Sequence, residues 1–274
     1  MFGIKKFFRR FRKKIRPVII STDQTNSLNG RCAVVTGGSS GIGFAISKAF
    51  VNAGCKVIII GRNEERLTEA SKKINNQNVI TYKMDVSKYD ELKNCFERIE
   101  TIAGSKIDIL VNNAGQSCQT RFPYIDEKEF DNILNVNLKS LVFMTQEFAN
   151  YMIHRGIAGN ILNIGSSSGL RPANSAYAIS KWGVRGYTLG TAKALIKYGI
   201  VVNGIAPGPT ATHMLTNDVN DLNGPKNDAK RLVHVDEIAS LAVHLVSNSS
   251  RMIIGEMVNI NGGSGTLSLD DIDY

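Results

Sequence analysis

Cysteine is scarce and badly placed for metal. Cys32, Cys55, Cys95 and Cys118 are the only four, and no two are spaced as C-x-x-C. No histidine stands near them in a zinc pattern, so a metal site has no sequence support. Cys32 and Cys55 sit in apolar, strand-like runs and read as buried reduced thiols, which points to a reducing compartment such as the cytoplasm. No apolar run approaches the roughly 20 residues that cross a bilayer. The N-terminus has charge but no apolar h-region, which excludes the pattern of a secretory signal. Internal repeats and low-complexity stretches are lacking as well. What remains is a chain of 274 residues, 43% hydrophobic and 21% charged. That composition supports one packed domain with tails rather than disorder.

Acid is missing from one stretch. Residues 1–16 hold Lys5, Lys6, Arg9, Arg10, Arg12, Lys13, Lys14 and Arg16 and no Asp or Glu. Taking those eight from 33 basic residues leaves 25 against 24 acidic, so the net +9 falls to +1 for the body. A nucleic-acid binder would spread its basic charge over the fold; this body carries no such signal. Ile4, Phe7, Phe8, Phe11 and Ile15 recur at steps of three and four, which predicts a basic amphipathic helix ended by Pro17. Such a helix suits the surface of an anionic membrane. A mitochondrial transit peptide and a solvated tail without a partner are the other readings. Residues 21–30, STDQTNSLNG, read as a polar linker. The expected division is a tail and linker over 1–28, one domain over 29–266, and an acidic tail over 267–274 with Asp270, Asp271 and Asp273.

From Arg31 on, short apolar runs alternate with helical stretches. Strands are expected at 32–36, 56–60, 79–83, 107–111, 160–164, 200–205 and 257–260. Helices are expected at 41–53, 64–75, 88–103, 128–155, 175–197 and 236–247. This alternation predicts an α/β fold: one doubly wound, Rossmann-type sheet of about seven parallel strands with helices on both faces.

Three constellations carry chemistry. Thr36-Gly37-Gly38-Ser39-Ser40-Gly41-Ile42-Gly43 follows the first strand and opens a helix. Glycines there let backbone approach a pyrophosphate, and the helix N-terminus favours the anion. A dinucleotide is the implied ligand. Ile60-Gly61-Arg62-Asn63 ends the second strand, where an NAD site places an acid for the ribose hydroxyls. Here Arg62 follows instead, and a guanidinium suits a 2′-phosphate, so NADP(H) is expected over NAD(H). Tyr177-Ala178-Ile179-Ser180-Lys181 puts a phenol and an ammonium one helical turn apart. A phenol titrates near pH 10 and needs a nearby cation to act at neutral pH. That spacing is common by chance, and its weight comes from context. The run Asn160 to Gly169, NILNIGSSSG, ends a strand in three serines just before the Tyr helix. Asn112-Asn113-Ala114-Gly115 ends another strand at the same sheet edge, and Asn137 lies in the long helix.

In motif order and spacing, residues 29–265 resemble the short-chain dehydrogenase/reductase family. The glycine motif, the Asn-Asn-Ala-Gly run, the Asn-Ser-Tyr-Lys set and Pro207-Gly208 carry the resemblance. It implies an enzyme that interconverts a ketone and a secondary alcohol with NADP(H). Tyr177 would protonate the carbonyl oxygen. Lys181 would lower the phenol pKa and bind the nicotinamide ribose. Ser166 would orient the carbonyl, with Ser167 a lesser candidate because the segment to Tyr177 is slightly short and its loop 169–175 unusual. Asn137 would hold a water in a relay to Lys181. The cofactor would lie along Gly37, Ser39, Ser40, Gly41, Ile42, Gly43, Arg62, Asp85, Val86, Asn113, Ala114, Gly115, Pro207, Gly208 and Thr210. The Asn-Gly-Gly of 261–263 resembles the end of the family's last strand.

Within the family, the chain most resembles 3-oxoacyl-(acyl carrier protein) reductases. Their basic rim for a carrier protein is not repeated, since Asn160 and Tyr198 stand at the positions that match. Lys197, Lys226, Lys230 and Arg231 are the replacements to consider. The loop 212–232 is polar, which keeps a sugar, polyol or other small ketone in play. A homotetramer or dimer is implied, with helix 175–197, Trp182 and Tyr187 at one interface. A non-catalytic binding protein on this fold would be expected to have lost the Tyr, Lys or Ser. A sugar-nucleotide epimerase would need a larger C-terminal domain.

Overall fold

The computed structural model describes residues 26–212, 215, 222 and 229–263. The predicted basic helix 1–16 and the acidic tail 267–274 lie outside the described residues, as does most of the loop between 212 and 229.

Seven strands form one sheet: β1 Cys32–Thr36, β2 Lys56–Gly61, β3 Val79–Lys83, β4 Ile109–Asn112, β5 Asn160–Ile164, β6 Val201–Pro207 and β7 Met257–Ile260. Their order is β3-β2-β1-β4-β5-β6-β7. Every pairing is parallel. The order reverses between β1 and β4, the switch point where such sheets open a crevice at their carboxyl ends. The central strands are apolar on both faces because helices cover both.

Alternation along β1 sends Ala33 and Val35 to one face and Val34 to the other. The first face is covered by α1 (Gly41–Asn52) and α7 (Val235–Val246), which bring Phe50, Ile46 and Ile238 to the core. The second is covered by α3 (Cys95–Ala103) and α5 (Ser140–Arg155). There Phe96 and Phe148 pack with ring centroids 4.7 Å apart. The remaining helices are α2 (Glu64–Ile74), α4 (Glu127–Leu134) and α6 (Ala176–Leu195).

Sequence periodicity placed the elements but missed three interruptions. The helix expected over 88–103 is a turn at Tyr89–Leu92 followed by α3, because Asn94 takes a left-handed φ of 52°. The helix expected over 128–155 is divided by a π-helical turn at Asn135–Lys139. That turn fits one extra residue into the coil and appears often at functional sites. Residues 26–30 are not linker. They form a turn in which Leu28 is fully buried and its N–H donates to Ala53 O at 2.9 Å. Leu28 is the one large apolar side chain in a polar run, and burying it folds the turn onto α1.

Cys32, Cys55 and Cys95 are buried free thiols, pushed up in pKa by burial, while Cys118 is half-exposed. Tyr187 is drawn inward, its hydroxyl donating to Val142 O at 3.1 Å, whereas Trp182 is 43% exposed.

Arg31 ties the amino ends of three strands together. Its Nε pairs with Asp108, its Nη2 donates to Asn160 Oδ1 at 2.9 Å, and its Nη1 donates to Val246 O at 3.1 Å. Removing one partner of a fully buried pair costs roughly 3–5 kcal/mol. Both side chains here are about one-fifth exposed. Arg31→Ala should therefore lower stability by about 2–3 kcal/mol, read from the urea midpoint. A change under about 0.5 kcal/mol would mean that Arg31 is only a surface pair.

Candidate active site

The carboxyl ends of β1, β4, β5 and β6 converge on one cleft. Its lining includes Gly37, Ser40, Gly41, Ile42, Asn113, Ala114, Gly115, Gln116, Ile164, Gly165, Tyr177, Lys181 and Thr212. A second lobe shares Gly37, Ser40, Ala114, Gly115 and Gln116 and extends past Arg62, Asn63, Arg66, Met84, Asp85 and Val86.

The turn after β1 is shaped by what a side chain would strike. Gly37 has φ 65° and Gly41 φ 51°, both left-handed. A Cβ on Gly43 would stand 2.4 Å from Asn113 Nδ2 and from Gly37 O. Only glycine lets β1, α1 and the β4 end approach this closely. Ser40 is the N-cap of α1 but makes no side-chain cap bond, and the first turn carries no acid. The exposed N–H groups and positive end of the dipole are thereby left to an anion in the cleft.

Thr36, which the sequence reading passed over, joins the two halves. Its hydroxyl oxygen accepts from Asn113 N at 2.9 Å and Ala114 N at 3.0 Å. Asn113 Nδ2 donates back to Thr36 O at 2.9 Å. The Asn-Asn-Ala-Gly run is thus a latch between β1 and β4. Asn112 points the other way: its Nδ2 donates to Asn163 Oδ1 and Thr145 Oγ1, both at 2.9 Å, inside the core. A buried polar group needs such partners.

Tyr177 and Lys181 lie on α6, which is capped by Ser175. The Ser166 side chain lies near the Tyr177 phenol and acts to lower its pKa, while its Oγ accepts from Ser168 N at 3.1 Å. Ser167 is buried in the 3-10 turn Ser167–Leu170, so Ser166 is the serine presented to the phenol. The loop 169–175 is held by Trp182 Nε1, which donates to Arg171 O at 2.7 Å, and by Phe122 N, which donates to Asn174 O at 2.8 Å. Lys181 is buried; its Nζ donates to Ile164 O at 2.9 Å and lies 5.6 Å from the Tyr177 ring centroid. Burial lowers Lys181 to about 8. Burial also pushes the Tyr177 phenol above its ordinary value, with Ser166 pulling down and Cys118 adding to the rise. The expected lowering of Tyr177 is therefore absent from this arrangement, because desolvation outweighs a cation already bound to a carbonyl.

Asn137 occupies the π-helical turn and is fully enclosed. Its Oδ1 accepts from Gln116 N at 2.8 Å, and its Nδ2 donates to Gln116 O at 2.9 Å and Ser180 Oγ at 3.3 Å. Its amide holds the chain after the latch. Gln116 and Thr212 line the cleft and were not found from sequence; neither belongs to a recognisable spacing. Pro207, Gly208 and Thr210 are near the end of β6 but are not among the lining residues. Gly208 packs where a Cβ would lie 2.8 Å from Asn261 Cα, and Thr210 Oγ1 donates to Gly208 O at 2.8 Å. They aim the chain that delivers Thr212.

In the outer lobe, Asp85 is held below the ordinary carboxylate range. Desolvation works against this, and Ser87 hydrogen bonds and the Arg62 charge prevail. Arg62 is exposed beside Asn63 and Arg66. Glycine approach, an uncapped helix start and two guanidiniums at the far lobe fit a phosphorylated dinucleotide. Among the described residues no group of three metal-ligating side chains occurs, and no helix is long and apolar enough to cross a membrane.

A family model described as short chain dehydrogenase matches residues 31–223. The chain is 33% identical to gluconate 5-dehydrogenase of Gluconobacter oxydans, over 86% of this chain and 95% of that one. It is 32% identical to a 3-oxoacyl-(acyl-carrier-protein) reductase of Thermotoga maritima, over 86% and 98% respectively. A crystal structure of a short chain dehydrogenase from Bacillus anthracis superposes with a TM-score of 0.78 at 31% identity, covering 85% of this chain and 96% of that one.

Two substitutions test the latch. Thr36→Val keeps the shape but leaves two N–H groups without an acceptor, and each such loss costs roughly 1–3 kcal/mol. Stability should fall by about 2–4 kcal/mol, with nicotinamide cofactor binding weakened in a fluorescence titration. Gly43→Ala should abolish that binding. Unchanged affinity in either variant would remove the latch from the site.

Proposed function

The chain belongs to the short-chain dehydrogenase family and is an oxidoreductase of the CH–OH/C=O pair, and on that premise we propose an NADP(H)-dependent ketoreductase in which Tyr177 donates the proton. The observation that carries this reading is Tyr177 lining the cleft one helical turn from buried Lys181, whose Nζ lies 5.6 Å from the phenol ring centroid. The nicotinamide, when bound, supplies the hydride. Ser166 orients the carbonyl oxygen toward the phenol, and Tyr177 gives up its hydroxyl proton to that oxygen. A phenol raised by burial stays protonated at neutral pH, which suits donation and hence reduction. Lys181 keeps a positive charge against the phenolate that develops. Asn137 positions the backbone at Gln116, with both hydrogens of its amide nitrogen engaged by Gln116 O and Ser180 Oγ.

The choice of NADP(H) rests on Arg62 and Arg66 in the outer lobe, where no acid follows β2. For the substrate, the resemblance to acyl carrier reductases meets a thin basic rim. Arg231 is engaged by both oxygens of Glu237 at 2.7 Å. Lys197 follows α6 at the amino edge of the sheet, away from Tyr177. Lys226 lies outside the described residues, which leaves Lys230. The thin rim, the polar loop 212–232 and the likeness to gluconate 5-dehydrogenase favour a small polar ketone over a carrier-bound acyl chain. Oligomer formation is assigned to α6, where Ile179, Trp182 and Leu189 are exposed on one stripe. The buried free thiols support a cytoplasmic setting.

Tyr177→Phe should abolish NADPH-dependent ketone reduction and spare NADPH binding; retained turnover would refute the assignment. Arg62→Glu should raise the KM for NADPH at least about tenfold, the effect of losing roughly 1.4 kcal/mol, with little change for NADH. Reduction should hold level below pH 8 and decline as pH rises through about 8, where Lys181 loses its charge. A panel of acyl thioesters and keto sugars, followed by NADPH oxidation, separates the two substrate classes.

A further inference from the structure

The near-neutral body gathers an excess of cations at one end. Each helical run follows its strand and runs back, α4 and α5 counting as one run through the π-helical turn, so the runs start at the catalytic edge and finish at the amino edge of the sheet. Their first turns hold the acids, among them Glu64, Glu65, Glu127, Glu129 and Asp236. Their last turns hold the bases, among them Lys72, Lys73, Arg155 and Lys193. The helix dipole rewards both placements one helix at a time. Their sum makes the amino edge a basic face. Loops on that edge add exposed Lys106 before β4, Lys197 before β6 and Arg251 before β7. Of the acids there, Asp108 is engaged by Arg31 and Glu100 by Arg155 at 2.9 Å, and exposed Glu256 before β7 stands against the larger number of cations.

Apolar side chains stand out on the same edge. Met252 is 90% exposed beside Arg251, and Tyr198 is 46% exposed beside Lys197. These two loops enter neighbouring strands. Seven strands at about 4.8 Å make an edge roughly 29 Å long. Residue 26, where the segment 1–25 joins the described chain, precedes β1 in the middle of that edge. The join is firmly anchored, by buried Leu28 on Ala53 and by Arg31 across β4 and β5.

We propose that this basic edge docks on an anionic phospholipid surface. Met252 and Tyr198 enter the headgroup layer, and the cations around them meet lipid phosphates. The eight cations of residues 1–16 belong to the same chain and add to the same attraction. The cleft at Tyr177 opens on the opposite edge, so the docked enzyme presents its active site to water. This orientation is independent of the substrate and of the cofactor.

Co-sedimentation of the full chain with vesicles is the test. Binding is expected to phosphatidylcholine vesicles containing phosphatidylglycerol and not to phosphatidylcholine alone, and it should weaken with salt. Each cation near such a surface is worth about fivefold in partitioning. Lys197→Glu with Arg251→Glu, in a chain that keeps residues 1–16, should reduce binding at least about tenfold. Retained NADPH affinity would show that this variant is folded. Lys128→Glu, an exposed reversal on the catalytic edge, should bind as the unaltered chain does. Deleting residues 1–20 should weaken binding and leave a salt-sensitive remainder that the double reversal removes. Failure to bind phosphatidylglycerol vesicles, or equal binding by the double variant and the unaltered chain, would overturn the proposal. So would a double variant whose oligomeric mass changes, since the edge would then be an interface between copies.

Discussion

The closeness of β1 to β4 at their carboxyl ends governs the rest of the molecule. At that point the sheet reverses its order, and backbone from both strands must share a space too small for a Cβ. Gly43 and Gly37 accept this crowding, and the Thr36 hydroxyl and Asn113 amide bond across it. Without the latch the glycine turn would have no wall to face, and the start of α1 would not look into a cleft. Asn137 continues the same construction by fixing Gln116, which brings the π-helical turn against α6 through Ser180. A chain of side-chain hydrogen bonds therefore links the glycine turn to the helix that carries Tyr177.

Burial at the chemical end works with two signs. It raises the phenol of Tyr177 and lowers the ammonium of Lys181, so each is biased toward its neutral form. A neutral phenol is a proton donor in waiting. The ammonium keeps its charge at neutral pH and has the Ile164 carbonyl as its partner.

Charge is arranged on a larger scale by the same topology. Parallel strands and returning helical runs place the starts of those runs on one edge and their ends on the other. Side chains that stabilise the ends of single helices then accumulate into a basic edge opposite the cleft. Net charge alone, near zero for the body, conceals this separation.

Much of this was legible beforehand. The seven strands, the glycine turn and the Tyr-Lys pair follow from local rules: apolar runs of strand length, glycine at a strand-to-helix junction, and four-residue spacing on a helix. Sequence could not reveal the acceptor role of Thr36, the π-helical turn at Asn137, or the approach of Gln116 and Thr212. It misjudged Leu28 as linker and the phenol pKa as lowered. Each of those depends on a partner far along the chain or on how much water is excluded, and neither has a local signature. Composition and spacing determined that this protein is a parallel α/β domain with a glycine turn and a Tyr-Lys pair, and the resemblance of its motifs to a known family supplied the oxidoreductase reading. The tertiary structure alone decided which atoms close the cleft, which way burial moves its proton donor, and which edge of the sheet collects the positive charge, because contact and desolvation arise only when distant segments pack.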